Sequence, residues 1–251
     1  MIMKADLHHA TLASLAYKDK SLALDKQFNE LGYDDVEFID IEGAQVYLLS
    51  NKDHTTIAFR GTEPKEFSDI VADLKTWKTR SKVAGRVHDG FYDEIKKVWG
   101  KLSFSLNTKH KGKSLSVCGH SLGAAMATIC SARLCNEGHK LILYTYGSPR
   151  VGNRKFVKSI TCNHNRWVNN NDMVTKVPLA LMFFKHHGTL HYLNHYGFVR
   201  NGLSPWQRIK DSWRGRLAAW KKREPFDGAR DHSVDKYVAN IGKPENDTEP
   251  N

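Results

Sequence analysis

The sequence lacks the long apolar runs and the cysteine-rich spacing that mark several classes of protein. None of its segments approaches the ~18 consecutive apolar residues of a membrane-spanning helix. Four cysteines and seven prolines occur among 251 residues, and the cysteines show no metal-ligand spacing. We therefore expect buried free thiols in place of disulfides, and we expect neither a metal nor another cofactor.

The amino terminus lacks the apolar core of a secretory signal, because Asp6, His8 and His9 interrupt it. We expect a cytoplasmic chain, or one exported by a route that needs no such signal, so secretion stays open. The chain is 40% hydrophobic, which is enough to bury one sizeable core. No repeat or linker divides it. We predict one domain over residues 1–242, followed by a disordered polar tail at 243–251.

Positive charge predominates, with a formal net charge of +11. Such a balance fits nucleic acid, an anionic membrane surface or solubility alone. No nucleic-acid motif accompanies it, so we expect no nucleic-acid partner. Much of the charge falls in a predicted helix at 205–223, where Trp206, Trp213 and Trp220 share one stripe. This composition suits either an anionic lipid surface or tryptophans packed on the core with solvated charges.

Predicted strands alternate with predicted helices along the chain, which favours an α/β fold. This order predicts a mostly parallel central sheet with helices on both faces. The main predicted helices are 6–29, 67–77, 93–106, 124–137 and 231–241, and 78–86 is predicted to be a basic loop. The predicted strands are 36–41, 45–49, 55–59, 115–118, 141–146 and 166–168, with a hairpin at 190–200.

A serine stands where a predicted strand meets a predicted helix, in Gly119-His120-Ser121-Leu122-Gly123. A sharp strand-to-helix turn pushes such a hydroxyl out of the sheet edge. The glycines let the strand and helix backbones approach closely. We interpret Ser121 as a nucleophile, and the alternative is a serine that caps the helix.

A serine nucleophile needs a base that takes its proton and an acid that orients the base. Asp172 is the only carboxylate between Glu137 and Asp211, and the alternative role for it is a turn. His232 follows the last predicted strand, where the base of such a site is expected, although a surface histidine is the alternative. Four other histidines after Asp172 compete with it: His186, His187, His191 and His195.

The negative oxygen of the intermediate needs two hydrogen-bond donors. One candidate is the N–H of Leu122, the residue after the nucleophile. The other comes from the loop after the third predicted strand, where Thr62 offers an N–H and a hydroxyl.

Segments in the same order resemble the class 3 lipase family, the fungal-lipase-like α/β-hydrolases. They lie at 57–62, 87–91, 119–123, 144–153, 171–178, 186–188 and 231–237. The resemblance implies an α/β-hydrolase fold with a helical lid. It also implies the triad Ser121, Asp172 and His232, with Thr62 and Leu122 as oxyanion donors.

The resemblance identifies 67–77 as the lid and places Asp73 near the donor threonine, although periodicity alone fits an ordinary core helix equally. The implied function is a serine hydrolase that cleaves carboxylic esters of lipids, of the triacylglycerol lipase type. The alternatives are a phospholipase A acting on anionic membranes through 205–223, or a catalytically weak lipid-binding module. The chain departs from the family in lacking a secretion signal and disulfides, and in its basic segment before His232.

Overall fold

The computed structural model describes residues 2–61, 78–200, 204, 206–207, 210–215 and 227–243. Its helices are α1 (Ile2–Leu15), α2 (Leu22–Glu30), α3 (Asp89–Thr108), α4 (Leu122–Asn136), α5 (Arg154–Val157), α6 (Asp227–Arg230) and α7 (Val234–Ile241), and residues 206–207 and 210–215 are also helical. Its strands are β1 (Asp35–Ile41), β2 (Ala44–Ser50), β3 (His54–Phe59), β4 (Lys78–Arg80), β5 (Arg86–His88), β6 (Ser114–His120), β7 (Leu141–Tyr146), β8 (Asn163–Asn169), β9 (Thr189–Leu193) and β10 (Val199–Arg200). The predicted lid at 67–77, Asp73, Thr62, residues 216–226 and the tail after Lys243 lie outside the described residues.

Eight strands form one sheet in the order β1-β2-β3-β6-β7-β8-β9-β10. The strands from β3 to β9 pair in parallel, whereas β1, β2 and β10 are antiparallel to their neighbours. The predicted α/β architecture with a mostly parallel sheet is therefore confirmed. One local prediction is wrong: the basic segment 78–86 contains β4, which pairs with β5 in a separate two-stranded ribbon.

The sheet is covered on both faces because its strands alternate two sets of apolar side chains. In β2, Val46 and Leu48 belong to a core cluster with residues of α3 and α4. Tyr47 and Leu49 belong to a second cluster on the other face, with residues of α1, α2 and α7. Within the described ranges, no helix combines the length and apolarity needed to cross a bilayer.

The predicted helix at 6–29 is wrong in one respect, since the structure has two helices there. α1 ends at Leu15, and the chain turns before Ser21. Ser21 adopts an extended conformation and its hydroxyl oxygen accepts the N–H of Leu24 at 3.2 Å, which caps α2. A serine followed by an apolar helix start is an N-cap signal, and it outweighs the continuous helical spacing here.

The close approach of β6 and α4 depends on glycine. A Cβ on Gly123 would lie 2.5 Å from the carbonyl oxygen of Phe59, and one on Gly119 would lie 2.4 Å from the carbonyl oxygen of Gly123. Both distances are too short for a side chain, so the two glycines let the helix start directly against the ends of β3 and β6.

Buried histidines form part of the core. His9 lies between the carbonyl oxygen of Ala5, 2.7 Å from Nδ1, and the hydroxyl of Ser116, 2.8 Å from Nε2. Burial lowers the pKa of His9 to about 3, and burial also lowers the pKa of His120 and His164 well below the usual value. These three side chains are therefore neutral at pH 7.

We predict that the fold loses stability as the pH falls below about 6.5. The unfolded chain then binds protons that the buried histidines do not, which lowers the free energy of unfolding by about 1.4 kcal/mol per pH unit for each histidine. Urea unfolding at pH 7.5 and 5.5 measures this slope. His9→Gln should flatten it. Equal slopes for His9→Gln and the unsubstituted protein would contradict the prediction.

Candidate active site

Ser121 lies on the sharp turn between β6 and α4. Its backbone has φ 57° and ψ −125°, a strained conformation for a residue with a side chain. Its N–H donates to the carbonyl oxygen of Tyr146 at 3.1 Å, which fixes the turn to β7. The Ser121 side chain makes no capping hydrogen bond to the helix, contrary to the N-cap alternative.

The structure brings Ser121, His232 and Asp172 together although they are far apart in the sequence. His232 Nε2 lies 2.8 Å from Ser121 Oγ, and His232 Nδ1 lies 3.0 and 2.9 Å from the two carboxylate oxygens of Asp172. A carboxylate only accepts hydrogen bonds, so Nδ1 carries the proton and Nε2 is free to accept the serine hydroxyl proton. All three side chains are buried.

Two further donors hold the Asp172 carboxylate. The N–H of Val174 donates to Oδ1 at 2.9 Å, and the hydroxyl of Tyr237 donates to Oδ2 at 2.6 Å. The Tyr237 oxygen also accepts the N–H of Asn169 at 3.0 Å. Burial, followed by the neighbouring Asp172 charge, raises the pKa of Tyr237 well above its usual value, so the hydroxyl keeps its proton. No sequence pattern singled out Tyr237 for this contact.

A second histidine lies behind the candidate base. His120 Nε2 donates to the carbonyl oxygen of His232 at 2.6 Å, and the hydroxyl of Tyr17 lies 2.8 Å from His120 Nδ1. Burial, and next the neighbouring His232, keep the pKa of His120 well below its ordinary value. With its single proton on Nε2, neutral His120 accepts the tyrosine O–H through Nδ1. This contact ties the His232 backbone to β6 and to the segment after α1.

The asparagine-rich loop before Asp172 is clamped to the segment that carries His232. The carboxylate of Asp231 accepts the side-chain N–H of Asn170 and the backbone N–H of Asn171, both at 3.2 Å. The backbone carbonyl of Asp231 accepts the side-chain N–H of Asn169 at 2.9 Å. These bonds join the loop that carries Asp172 to the segment that carries His232.

The other four candidate histidines make their contacts elsewhere. His186 Nε2 lies 2.8 Å from the carbonyl oxygen of Thr175, His187 faces His164, His191 stacks on Trp167, and the His195 N–H donates to Asp211. The histidine that accepts the Ser121 hydroxyl is thus His232, which follows the last strand.

Leu122 begins α4, where the first N–H groups of a helix have no partner within the helix. That this N–H donates to an oxyanion beside Ser121 stays a prediction. Gly61 lies against the same turn, since a Cβ there would be 2.7 Å from the carbonyl oxygen of His120. A cleft of about 480 Å³ borders both Leu122 and Gly61, and charged side chains such as Arg60 make it polar.

The model of the family described as Lipase (class 3) matches residues 56–182, which is half of the chain. The chain belongs to the class 3 lipase family. The match includes Ser121 and Asp172 and ends before His232. The hydrogen bonds of His232 to both residues place it with them in the structure. The recognised family resemblance is therefore confirmed.

Toxin TseL of Vibrio cholerae is 42% identical over 99 residues, which are 38% of this chain and 15% of the toxin. The secreted mono- and diacylglycerol lipase A of Penicillium cyclopium is 35% identical over 131 residues, which are 51% of this chain and 39% of that lipase. The matched part of this chain thus spans less than half the length of either relative.

The solved triacylglyceride lipase of Rhizomucor miehei has the same fold. It superposes with a TM-score of 0.66 at 24% identity, over 76% of this chain and 80% of that one. The predicted α/β-hydrolase architecture is confirmed by this likeness and by the sheet order.

We predict that Tyr237→Phe slows the reaction of Ser121 with a fluorophosphonate probe about 10-fold. A hydrogen bond to a charged group contributes about 1.5–3 kcal/mol. The bond from Tyr237 holds the Asp172 carboxylate, which in turn orients His232, so only part of this free energy should affect the rate. The labelling rate measures the reactivity of the serine and needs no assumption about the substrate.

Tyr33→Phe is the matched control, because its buried hydroxyl bonds Thr56 Oγ1 at 2.6 Å in a different part of the sheet. Its labelling rate should equal that of the unsubstituted protein. An unchanged rate for Tyr237→Phe would show that the tyrosine does not position the acid.

Proposed function

We propose that this class 3 lipase is a serine hydrolase that cleaves carboxylic esters of lipids. The observation that carries the proposal is the continuous chain of hydrogen bonds from Ser121 through His232 to Asp172. Such a chain activates a serine hydroxyl, which is a poor nucleophile by itself.

In the proposed reaction, Ser121 attacks the ester carbonyl carbon while His232 takes the hydroxyl proton. The negative charge on the carbonyl oxygen is stabilised by the N–H of Leu122 and by Thr62. Collapse of the tetrahedral intermediate expels the alcohol, which receives the proton from His232. Water, deprotonated by His232, then hydrolyses the acyl-enzyme and regenerates Ser121.

An exposed apolar segment after Asp172 supports a lipid as the source of the ester. Leu179, Leu181 and Phe183 are 54%, 86% and 75% exposed. Large apolar side chains grouped in this way on a surface indicate contact with an apolar ligand. Triacylglycerol is the substrate class we favour. The names of the two fungal lipases, which act on triacylglycerides or on mono- and diacylglycerols, support an acylglycerol.

Two alternatives remain distinct from this proposal. A phospholipase A would use the same residues on anionic phospholipid, and the basic composition of 205–223 favours it. A catalytically weak lipid-binding module would not need the serine hydroxyl bonded to His232, so the 2.8 Å contact favours catalysis.

The name of the Penicillium relative describes a secreted protein, which supports export of this chain from the cell.

We predict that Ser121→Ala abolishes both fluorophosphonate labelling and ester hydrolysis. Loss of the nucleophile removes the acyl-enzyme route, so the rate should fall by about 10⁴-fold or more. Ser131→Ala removes a buried hydroxyl from α4, the helix that follows Ser121, and should retain full activity. Hydrolysis of triacylglycerol, diacylglycerol and anionic phospholipid by the unsubstituted protein separates lipase from phospholipase. Full hydrolysis by Ser121→Ala would rule out the mechanism.

We also propose that the helical residues 206–207 and 210–215 bind an anionic lipid surface. Trp206 and Trp213 are 63% and 65% exposed, and their seven-residue spacing places them on one helix face. Lys210 is exposed beside them and lies over the Trp206 ring. Asp211 is buried and accepts the Tyr192 hydroxyl at 2.7 Å, which holds this helix on the sheet. Tryptophan and basic side chains together suit the interface of an anionic bilayer.

We predict that the double variant Trp206→Ala/Trp213→Ala binds phosphatidylserine-containing vesicles at least 10-fold more weakly than the unsubstituted protein. Binding should weaken because the variant loses two aromatic side chains that insert into the lipid interface. Hydrolysis of a soluble short-chain ester should not change. Phe104→Ala, which removes a 70% exposed aromatic side chain from α3, is the control and should bind normally. Equal vesicle binding by the double variant would contradict the proposed surface.

A further inference from the structure

The segment between α1 and α2 passes close to the candidate active site. Residues 17–19, which we call the connecting segment, follow the end of α1 at Leu15. The hydroxyl of Tyr47 in β2 donates to the carbonyl oxygen of Lys18 at 3.0 Å, which anchors the connecting segment on the sheet. The family model begins at residue 56, so the connecting segment lies outside the matched part of the chain.

Tyr17 of the connecting segment contacts two parts of the candidate site. Its hydroxyl lies 2.8 Å from Nδ1 of His120, whose Nε2–H donates to the carbonyl oxygen of His232. The same hydroxyl lies against Gly61, because a Cβ on that glycine would overlap the hydroxyl oxygen. Gly61 directly precedes Thr62, the second predicted oxyanion donor. The tyrosine hydroxyl thus lies between the residue that holds the backbone of the candidate base and the loop predicted to bind the oxyanion.

A second contact of the connecting segment reaches the same loop. Arg60 Nη1 donates to Asp19 Oδ1 at 3.1 Å and to Gln45 Oε1 at 3.0 Å. The Asp19 side chain is 95% exposed, and an exposed ion pair contributes little to stability. Tyr17, in contrast, bonds the side chain of His120, which is buried. The tyrosine is therefore the stronger attachment of the connecting segment to the site.

The hydrogen bonds of His120 fix the position of its ring and of its proton. A carbonyl oxygen only accepts, so His120 Nε2 carries the proton that it donates to His232. His120 is neutral because burial keeps its pKa well below the usual value, so its Nδ1 is an acceptor. Within the described residues, the Tyr17 hydroxyl is the donor to that nitrogen. Removal of this donor leaves a buried nitrogen without a hydrogen bond, which is unfavourable, and the ring should shift.

The backbone of His232 is attached to the strand of the nucleophile through this ring. His232 lies in the short turn between α6 and α7, and its side chain bonds Ser121 and Asp172. His120 is the last residue of β6, directly before Ser121. Its bond to the His232 carbonyl oxygen therefore ties the candidate base to β6. A shift of the His120 ring would change the distance between His232 Nε2 and Ser121 Oγ.

We propose that Tyr17 is a positioning residue of the candidate active site. Its hydroxyl holds the ring of His120 in the place from which Nε2–H fixes the backbone of His232. The inference rests on the proposed function for the role of His232 as the base. It adds a residue from the amino-terminal part of the chain, which lies outside the family match, and it gives the tyrosine no part in the chemical step.

Tyr17→Phe tests the proposal with the fluorophosphonate probe. The maximal labelling rate of Ser121 should fall about 5-fold, because one hydrogen bond that positions the base is lost. The probe concentration that gives half of this rate should not change, and an unchanged thermal midpoint checks the fold. Tyr33→Phe is the matched control, since its hydroxyl also bonds a histidine ring, at 3.0 Å from His8 Nε2. It should label at the rate of the unsubstituted protein.

His120→Gln separates the hydrogen bond of Tyr17 from its packing. A glutamine can place an amide N–H near the former Nε2, but it has no nitrogen at the place of Nδ1. This variant keeps a donor to His232 and loses the acceptor of the Tyr17 hydroxyl. Adding Tyr17→Phe to it should therefore slow labelling no further, whereas independent packing effects would multiply.

The proton on His232 Nδ1, which is bonded to Asp172, provides a readout that needs no turnover. Its downfield NMR signal reports the position of the base, and we expect Tyr17→Phe to move this signal and Tyr33→Phe to leave it in place. If the unsubstituted protein neither labels nor hydrolyses esters, the proposed function fails, and this signal still decides the inference. An unmoved signal, an unchanged labelling rate in Tyr17→Phe, or multiplying effects in the double variant would overturn the proposal.

Discussion

The burial of the Asp172 carboxylate is the constraint on which the candidate site depends. No part of the side chain is exposed, and a buried carboxylate is costly unless hydrogen bonds replace its water. Those bonds come from Val174, His232 and Tyr237, which belong to two separate segments of the chain. α7 carries Tyr237 and directly follows His232, so the helix packs where both side chains reach the carboxylate. The bonds that offset the burial of the acid therefore also position the base.

The order of the three candidate catalytic residues could be predicted from the sequence. Ser121 has a local motif, Asp172 stands alone among carboxylates over a long stretch, and His232 follows the last strand. Tyr237 only ended the family-like segment 231–237 without a role being predicted for it, and Tyr17 had no such signal. Their hydroxyls bond Asp172 across 65 positions and His120 across 103, and a contact between distant residues leaves no local pattern.

The fold could be predicted where the spacing of apolar residues is regular. It was mispredicted where a helix cap sets the end of a helix or a distant strand sets the pairing of another strand. The alternating strands and helices indicated the parallel sheet correctly. Ser21 ends the continuous helix predicted at 6–29, because its capping bond outweighs helical spacing. The strand β9 was expected in a hairpin only, but it also extends the sheet through parallel pairing with β8. That pairing depends on a neighbour far along the chain, which residue patterns do not encode.

His120, which lies behind the candidate base His232, must be neutral for the site to work, and the buried histidines of the core are neutral as well. The rings of His120 and His232 have centroids 4.5 Å apart. A positive charge on His120 would oppose the transfer of the serine proton to His232, because like charges at this distance disfavour each other. Burial prevents that charge by lowering the pKa of His120. Because of the same burial, His120 stays unprotonated in the folded state below pH 6.5, whereas it binds a proton in the unfolded chain. This difference lowers the free energy of unfolding in acid. A substitution that exposed His120 to water would relieve this acid sensitivity. Below about pH 6.5, however, it would place a cation beside the candidate base. At this position, a gain in the acid stability of the fold would therefore oppose proton transfer at the site.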